Sequence, residues 1–187
     1  MAQKKKDWNG LISGFKASDL VFLDESGCNT DMTRRYAYSL GGSRAVDSAP
    51  LSKPKNTTIL SSIQLDGTLR YTTFSGGTTV ERFKRYLETD LLPHLNGNSV
   101  LIKDNMKSHH AKAVRNLLDS SGIRYIYLPP YSPDLNPIEK LWSKVKAFLR
   151  KFKARTLDAL PNAIQNAFHS VTISDCSGWF RFCGYAL

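Results

Sequence analysis

Apolar residues fall along this chain in short bursts of two kinds. Leu20-Val-Phe-Leu23, Val100-Leu-Ile102 and Ile123-Arg-Tyr-Ile-Tyr-Leu128 are brief, nearly unbroken runs. Runs of that length predict strands buried on both faces. The first stops at Asp24-Glu25-Ser26-Gly27, which predicts a polar turn, and the second stops at Asp104-Asn105. Two β-rich arms, Thr57 to Ile63 and Thr68 to Phe74, flank Asp66-Gly67 and predict a hairpin that ends at Gly76-Gly77. Arg34-Arg35-Tyr36-Ala-Tyr38 predicts a further short strand before a Gly41-Gly42 turn.

The second kind recurs every three or four residues. Thr79 caps a predicted helix to about His94, with Val80, Phe83, Leu87 and Leu91 on one face. Ser108 to Ser121 suits a helix closed by Gly122. Asn136 as N-cap and Pro137 as first helical residue open a helix with Ile138, Leu141, Trp142, Val145, Phe148, Leu149 and Phe152 on its apolar face. A last helix is predicted from Thr156 to Val171, with Leu157, Leu160, Ile164 and Phe168 inward, although Pro161 fits poorly inside it. Residues 1–19 read as a basic N-terminal arm or one short helix, and Lys4 to Lys6 as a flexible end. The order is an antiparallel start followed by alternating β and α. It predicts an α/β fold with a mixed sheet and helices on its faces.

A length of 187 residues fits one domain with a short appendage. The net charge of +10 favours a polyanionic partner, most often nucleic acid. No apolar run approaches the ~18 residues of a membrane span. Met1 to Lys6 has the charge of a signal-peptide n-region, but Asp7, Asn9 and Lys16 interrupt any apolar stretch behind it. Cys28, Cys176 and Cys183 are odd in number and lack C-x-x-C spacing, which fits a reducing cytosol. The expected location is cytoplasmic.

Asp24 and Asp104 each end a short apolar run. If those strands are adjacent and parallel, both carboxylates emerge at one sheet edge. Neighbouring anions raise each other's pKa unless a cation sits between them. Oxygen ligands suit Mg²⁺ or Mn²⁺. Glu139 lies in the first helical turn after a stiff loop holding Pro129, Pro130, Pro133 and Pro137, off the apolar stripe. Three such carboxylates can hold two metal ions for in-line phosphoryl displacement. Ordinary readings compete. Asp24 and Asp104 could be surface acids at strand ends. Asn136-x-x-Glu139 has capping-box spacing. Glu25 could replace Asp24, although it points to the other side of its strand. Asp31 and Asp66 read as loop and turn residues.

Four blocks carry a resemblance: Leu23-Asp24-Glu25-Ser26-Gly27; Asn29-Thr-Asp-Met-Thr-Arg-Arg-Tyr36; Asp104-Asn105 with Ser108-His109; and Leu128-Pro-Pro-Tyr-Ser-Pro-Asp-Leu-Asn-Pro-Ile-Glu139. Together they resemble a DDE transposase catalytic domain, of the bacterial insertion-sequence branch of the mariner-like superfamily. The likeness spans roughly residues 20–187, and the 34 residues between Asp104 and Glu139 match that group's spacing. The resemblance implies a ribonuclease-H-like domain over 20–187, with a mixed five-stranded sheet flanked by helices. It implies metal-dependent cleavage of transposon ends and transfer of the 3′-hydroxyl into target DNA, usually at TA; the alternatives are a catalytically inactive DNA-binding or assembly remnant of a transposase and a ribonuclease-H-type nuclease. It implies Asp24, Asp104 and Glu139 as catalytic metal ligands for two Mg²⁺ ions (Mn²⁺ may substitute), with Asn105 and His109 in support. It also implies a dimer in the synaptic complex.

Lys140 to Arg155 holds seven basic residues and no acid. Lys146 and Arg150 share the helical face of Glu139, and Lys140, Lys144, Lys151 and Lys153 add to the charge. A cationic face continuing from a metal ligand would hold DNA phosphates; the ordinary reading is a solvated face. Relatives carry an upstream helix-turn-helix region. With 23 residues before Asp24, the expectation is a truncated copy or a catalytic half whose DNA-recognition polypeptide is separately encoded. His94, His110 and His169 read as packing or surface residues. Trp179, Phe180, Phe182 and Tyr185 either pack the C-terminus onto the sheet or stack on bases.

Overall fold

The computed structural model describes residues 2–34, 36–50 and 54–185. In chain order the principal elements are α1 (Ala2–Ile12), β1 (Leu20–Cys28), β2 (Thr57–Ile63), β3 (Leu69–Ser75), α2 (Val80–Tyr86), β4 (Val100–Lys103), α3 (Lys112–Ser121), β5 (Arg124–Tyr127), α4 (Ile138–Phe152), α5 (Ala159–His169) and α6 (Ile173–Phe182). The sheet runs β3-β2-β1-β4-β5. β1 and β2 are antiparallel, as are β2 and β3, while β1, β4 and β5 are parallel. The mixed α/β sheet is the one expected from the alternation of elements, and its five strands are the number the resemblance implies.

Side-chain alternation along β1 divides the core in two. Leu20 and Phe22 face a layer made by α4, α5 and α6. Val21 and Leu23 face α2 and α3, against Phe83, Leu87, Val114 and Leu118. Burial on both faces explains why β1 and β4 read as unbroken apolar runs. The hairpin turns at Gly67, whose φ of 89° needs glycine.

Several expectations need correction. β1 does not stop at Asp24; it continues to Cys28 because β2 keeps pairing with it, down to Cys28↔Thr57. Only its parallel partner ends there, at Leu23↔Lys103. No strand forms over Arg34 and Tyr36 to Tyr38: both tyrosines are exposed and no neighbouring strand pairs with them, and Arg35 lies outside the described residues. The helix after Thr79 loosens at Leu87–Leu91 into a π turn and ends in a 3-10 turn at Leu92–His94, where Pro93 cannot donate. The helix expected from Ser108 starts at Lys112, after a 3-10 turn at Lys107–His110. Pro161 is tolerated because α5 begins at Ala159, leaving it in the first turn where no intrahelical donor is needed. Leu157 precedes that helix and is exposed, as is Phe152 at the end of α4.

The expected last helix is followed by another, α6, begun by a capping box between Thr172 and Asp175. The aromatic tail divides. Phe180 and Tyr185 pack around Phe22, with ring centroids 5.4 and 5.0 Å away, whereas Phe182 is exposed. Lys4 to Lys6 lie in the α1 backbone; their side chains are outside the described residues. Trp8 of α1 is buried, and its indole N–H donates to the Tyr185 hydroxyl at 3.3 Å. Tyr185 in turn donates to the Leu135 carbonyl, tying the chain's C-terminal region to the loop before α4. Among the described residues no helix is long and apolar enough to cross a membrane.

Candidate active site

The parallel register sets Asp24 and Asp104 side by side, one position beyond the last β1–β4 couple, Leu23↔Lys103. Adjacent strands lie about 4.8 Å apart. Glu139 arrives from the first turn of α4. All three line one open cleft, together with Glu25, Asn105 and the proline-rich loop from Leu128 to Pro133. No side-chain hydrogen bond caps the start of α4, so capping does not consume Glu139. Asn136, the expected cap, is buried and its Oδ1 has no partner.

Asp24 faces the α4 layer. It is 8% exposed, its Oδ1 accepts from the Glu25 N–H at 2.8 Å, and its Oδ2 accepts from the Trp142 indole at 3.2 Å. Burial pushes its carboxyl up to about 7, and the negative charges of Asp104 and Glu139 add to that rise. The two donors oppose it without cancelling it.

Asp104 has the opposite balance. Burial alone would raise it, but the hydrogen bond and charge of His109, with the Met106 N–H, hold it below its ordinary value. His109 Nδ1 lies 2.6 Å from Asp104 Oδ1, and Nε2 lies 3.1 Å from Glu25 Oε2. Burial disfavours charge on the ring, yet the two carboxylates raise its pKa to about 9. Ionised carboxylates only accept, so both ring nitrogens donate. Phe83 stacks on the ring at 4.1 Å. Asn105 donates from Nδ2 to the Leu128 carbonyl at 2.6 Å, fastening the end of β4 to the proline-rich loop.

The expected acids, Asn105 and His109 are therefore gathered at one end of the sheet: Asp24, Asp104, Glu139 and Asn105 in the cleft wall, His109 behind it. Among the described residues no three His, Cys, Asp or Glu side chains close on one point as ion ligands would. Mutual repulsion of carboxylates works against closure. The donor set nevertheless fits a hard divalent cation: oxygen ligands only, one of them buried and raised by its anionic neighbours. Sequence reasoning missed Trp142 as a donor to Asp24, because its position on the α4 apolar stripe explained it already. It also missed Lys103, whose only signal was a cation ending an apolar run.

The basic residues of α4 separate into groups. Lys144 pairs with Asp175 at 2.5 Å, Lys153 pairs with Asp47, and the Lys140 ammonium sits 3.9 Å over the Phe182 ring. Among the described residues no ion pair holds Lys146, Arg150 or Lys151. Arg150 lines a second cleft with Asn29, Arg34 and Tyr36.

A mixed sheet of this order with an acidic cleft at the end of its central parallel pair is a ribonuclease-H-like fold. It superposes on the Mos1 transposase paired-end complex with left transposon end (TM-score 0.78, 19% identity, 96% of this chain and 56% of that one). It also superposes on the Mos1 transposase catalytic domain with raltegravir and Mg (TM-score 0.70, 17% identity, 96% of this chain and 85% of that one). The family profile of the DDE superfamily endonucleases matches residues 19–161, and the chain belongs to that family. The transposable element Tc1 transposase of Caenorhabditis elegans is 29% identical over 97 residues, which is 50% of this chain and 36% of that protein. The chain thus spans little more than half, or less, of the full-length transposases it resembles.

Proposed function

We propose that this chain is the catalytic domain of a DNA transposase. It cuts transposon ends in double-stranded DNA and transfers the resulting 3′-hydroxyl into TA-containing target DNA. The carrying observation is the cleft itself: two carboxylates on neighbouring parallel strands and a third on a helix start, with Asp24 raised to about 7 by burial and by its anionic neighbours. Asp24, Asp104 and Glu139 would hold Mg²⁺, or Mn²⁺ in its place, as two ions. The Mos1 paired-end complexes that this chain resembles in fold include one described with Mn and one with Mg. Bound there, the ions supply charge neutralisation at the scissile phosphate and acidify the attacking hydroxyl.

The chain's own residues do the positioning. Trp142 and the Glu25 amide fix the Asp24 carboxylate. His109 fixes that of Asp104, and Asn105 holds the proline-rich loop at the cleft wall. Lys146, Arg150 and Lys151 bind DNA phosphates beside the cleft. Lys140, Lys144 and Lys153, each held by an internal partner, contribute only as far as those contacts give way on DNA. A dimer assembles on paired ends, and a helix-turn-helix module, supplied on the same or another polypeptide, selects the terminal repeats.

Nicking of a supercoiled plasmid with Mn²⁺ tests the reading. Cleavage by this chain and none by Asp104→Ala supports it. Equal cleavage by both proteins, or preferred cleavage of an RNA–DNA hybrid, contradicts it.

A further inference from the structure

On the α2–α3 side of the sheet, reaching the cleft only through Glu25, lies a second charged group. Glu25 follows Asp24 in β1 and so points to the opposite face. There its Oε2 meets His109 Nε2 at 3.1 Å, while the other ring nitrogen holds Asp104. The ring is fully buried and stacked on Phe83. Lys103, the residue before Asp104, points to this same face and is also fully buried. Its ammonium donates to the His109 carbonyl at 2.9 Å and to the Tyr127 hydroxyl at 3.1 Å, and it lies 4.4 Å from the Tyr127 ring centroid. Tyr127 donates to the same carbonyl at 3.1 Å.

A buried lysine without a carboxylate partner is a poor way to gain stability. Desolvating an ammonium costs several kcal/mol, and apolar replacements of buried charges are often neutral or stabilising. A buried histidine between two acids carries the same burden. What the arrangement does provide is constraint. Lys103 fixes the backbone of the turn that carries His109, Glu25 fixes one side of its ring, and the other side then has one place to meet Asp104.

We infer that Glu25 and Lys103 are positioning residues, which lock His109 from behind the sheet and thereby set the orientation of the Asp104 carboxylate in the cleft. The inference rests on the reading of Asp104 as part of the reacting centre, but its first test needs no reaction. The Met106 N–H donates to Asp104 Oδ1 at 3.0 Å, so the Met106 amide reports that carboxylate.

In metal-free protein, Glu25→Ala and Lys103→Met should each shift the Met106 amide resonance and speed its hydrogen exchange about 10-fold, the scale of one hydrogen bond to a charged group. Glu25→Gln, which keeps an acceptor for His109, should leave both near wild type. Lys103→Met should fold with an unchanged or higher melting temperature, so it carries the test if Glu25→Ala does not fold. In the nicking assay Lys103→Met should need more Mn²⁺ for half-maximal rate, with unchanged DNA affinity. A Met106 amide indifferent to Lys103→Met in a folded protein overturns the inference. A wild-type protein that never nicks DNA, while its Met106 amide still responds, sinks the transposase reading and leaves the positioning intact.

Discussion

Asp24 and Glu25 are neighbours in one strand, yet the sheet sends them to opposite fates. On the α4 side Asp24 is buried beside two other carboxylates, and its pKa rises to about 7. On the α2–α3 side Glu25 meets His109, whose pKa rises to about 9 between two acids. Among the described residues no ion pair holds Asp24 or Glu139. His109 bridges Glu25 to Asp104 from the other face, where Glu25 keeps one buried oxygen, Oε1, without a partner. The difference separates the proposed metal site from the scaffold that shapes it.

The largest expected effect lies on the α4 side. Asp24→Asn should reduce Mn²⁺-dependent nicking by about 10³-fold or more, since metal-assisted charge stabilisation is worth several kcal/mol. A loss under 10-fold would place the chemistry elsewhere.

The next concerns pH. An acid whose folded pKa lies above its unfolded value binds its proton more tightly when folded. Its contribution to stability is therefore lost as pH rises from the ordinary value of 3.8 toward about 7. His109 acts in the same direction over a higher window, between 6.5 and about 9, and Asp104, held low, acts oppositely in acid. Metal-free Asp24→Asn should gain on the wild type by up to roughly 4 kcal/mol between pH 4 and pH 7. Chemical denaturation at those two pH values checks this; a constant gap would contradict it.

Trp142→Phe should cost about 1–2 kcal/mol and raise the Asp24 pKa further, because it removes a donor to the charged form. An NMR titration of the Asp24 carboxyl carbon reads the shift directly. The smallest effects belong to α4. Lys146→Ala and Arg150→Ala should each reduce the salt slope of DNA binding by about 0.9, one phosphate contact apiece. Lys144→Ala should change it less, since that ammonium is already held by Asp175. Equal slopes for all three would mean that the internal pair gives way on DNA.

Much of this contrast was legible from sequence, for a physical reason. Two apolar runs, each ending at an acid, place Asp24 beside Asp104 if their strands are adjacent and parallel, a pairing that the runs alone leave open and the structure supplies. The Asp66-Gly67 hairpin was equally plain. What one strand cannot show is where its neighbours stop. The extension of β1 to Cys28 depends on β2, and the coil at Tyr36 to Tyr38 depends on the lack of any strand beside it. α6 is not evident because Trp179, Phe180 and Phe182 read as an aromatic tail that packs on the sheet or stacks on bases, not as a helix face. The pairing of Glu25 with His109 spans 84 residues, so nothing local announces it. From sequence alone Glu25 reads as a possible substitute for Asp24.

Anomalous diffraction from Mn²⁺-soaked crystals tests the central claim most directly. Peaks should lie among the carboxylates of Asp24, Asp104 and Glu139 and vanish in Asp24→Asn crystals. Peaks confined to other acids, with this cleft empty at saturating Mn²⁺, would contradict it.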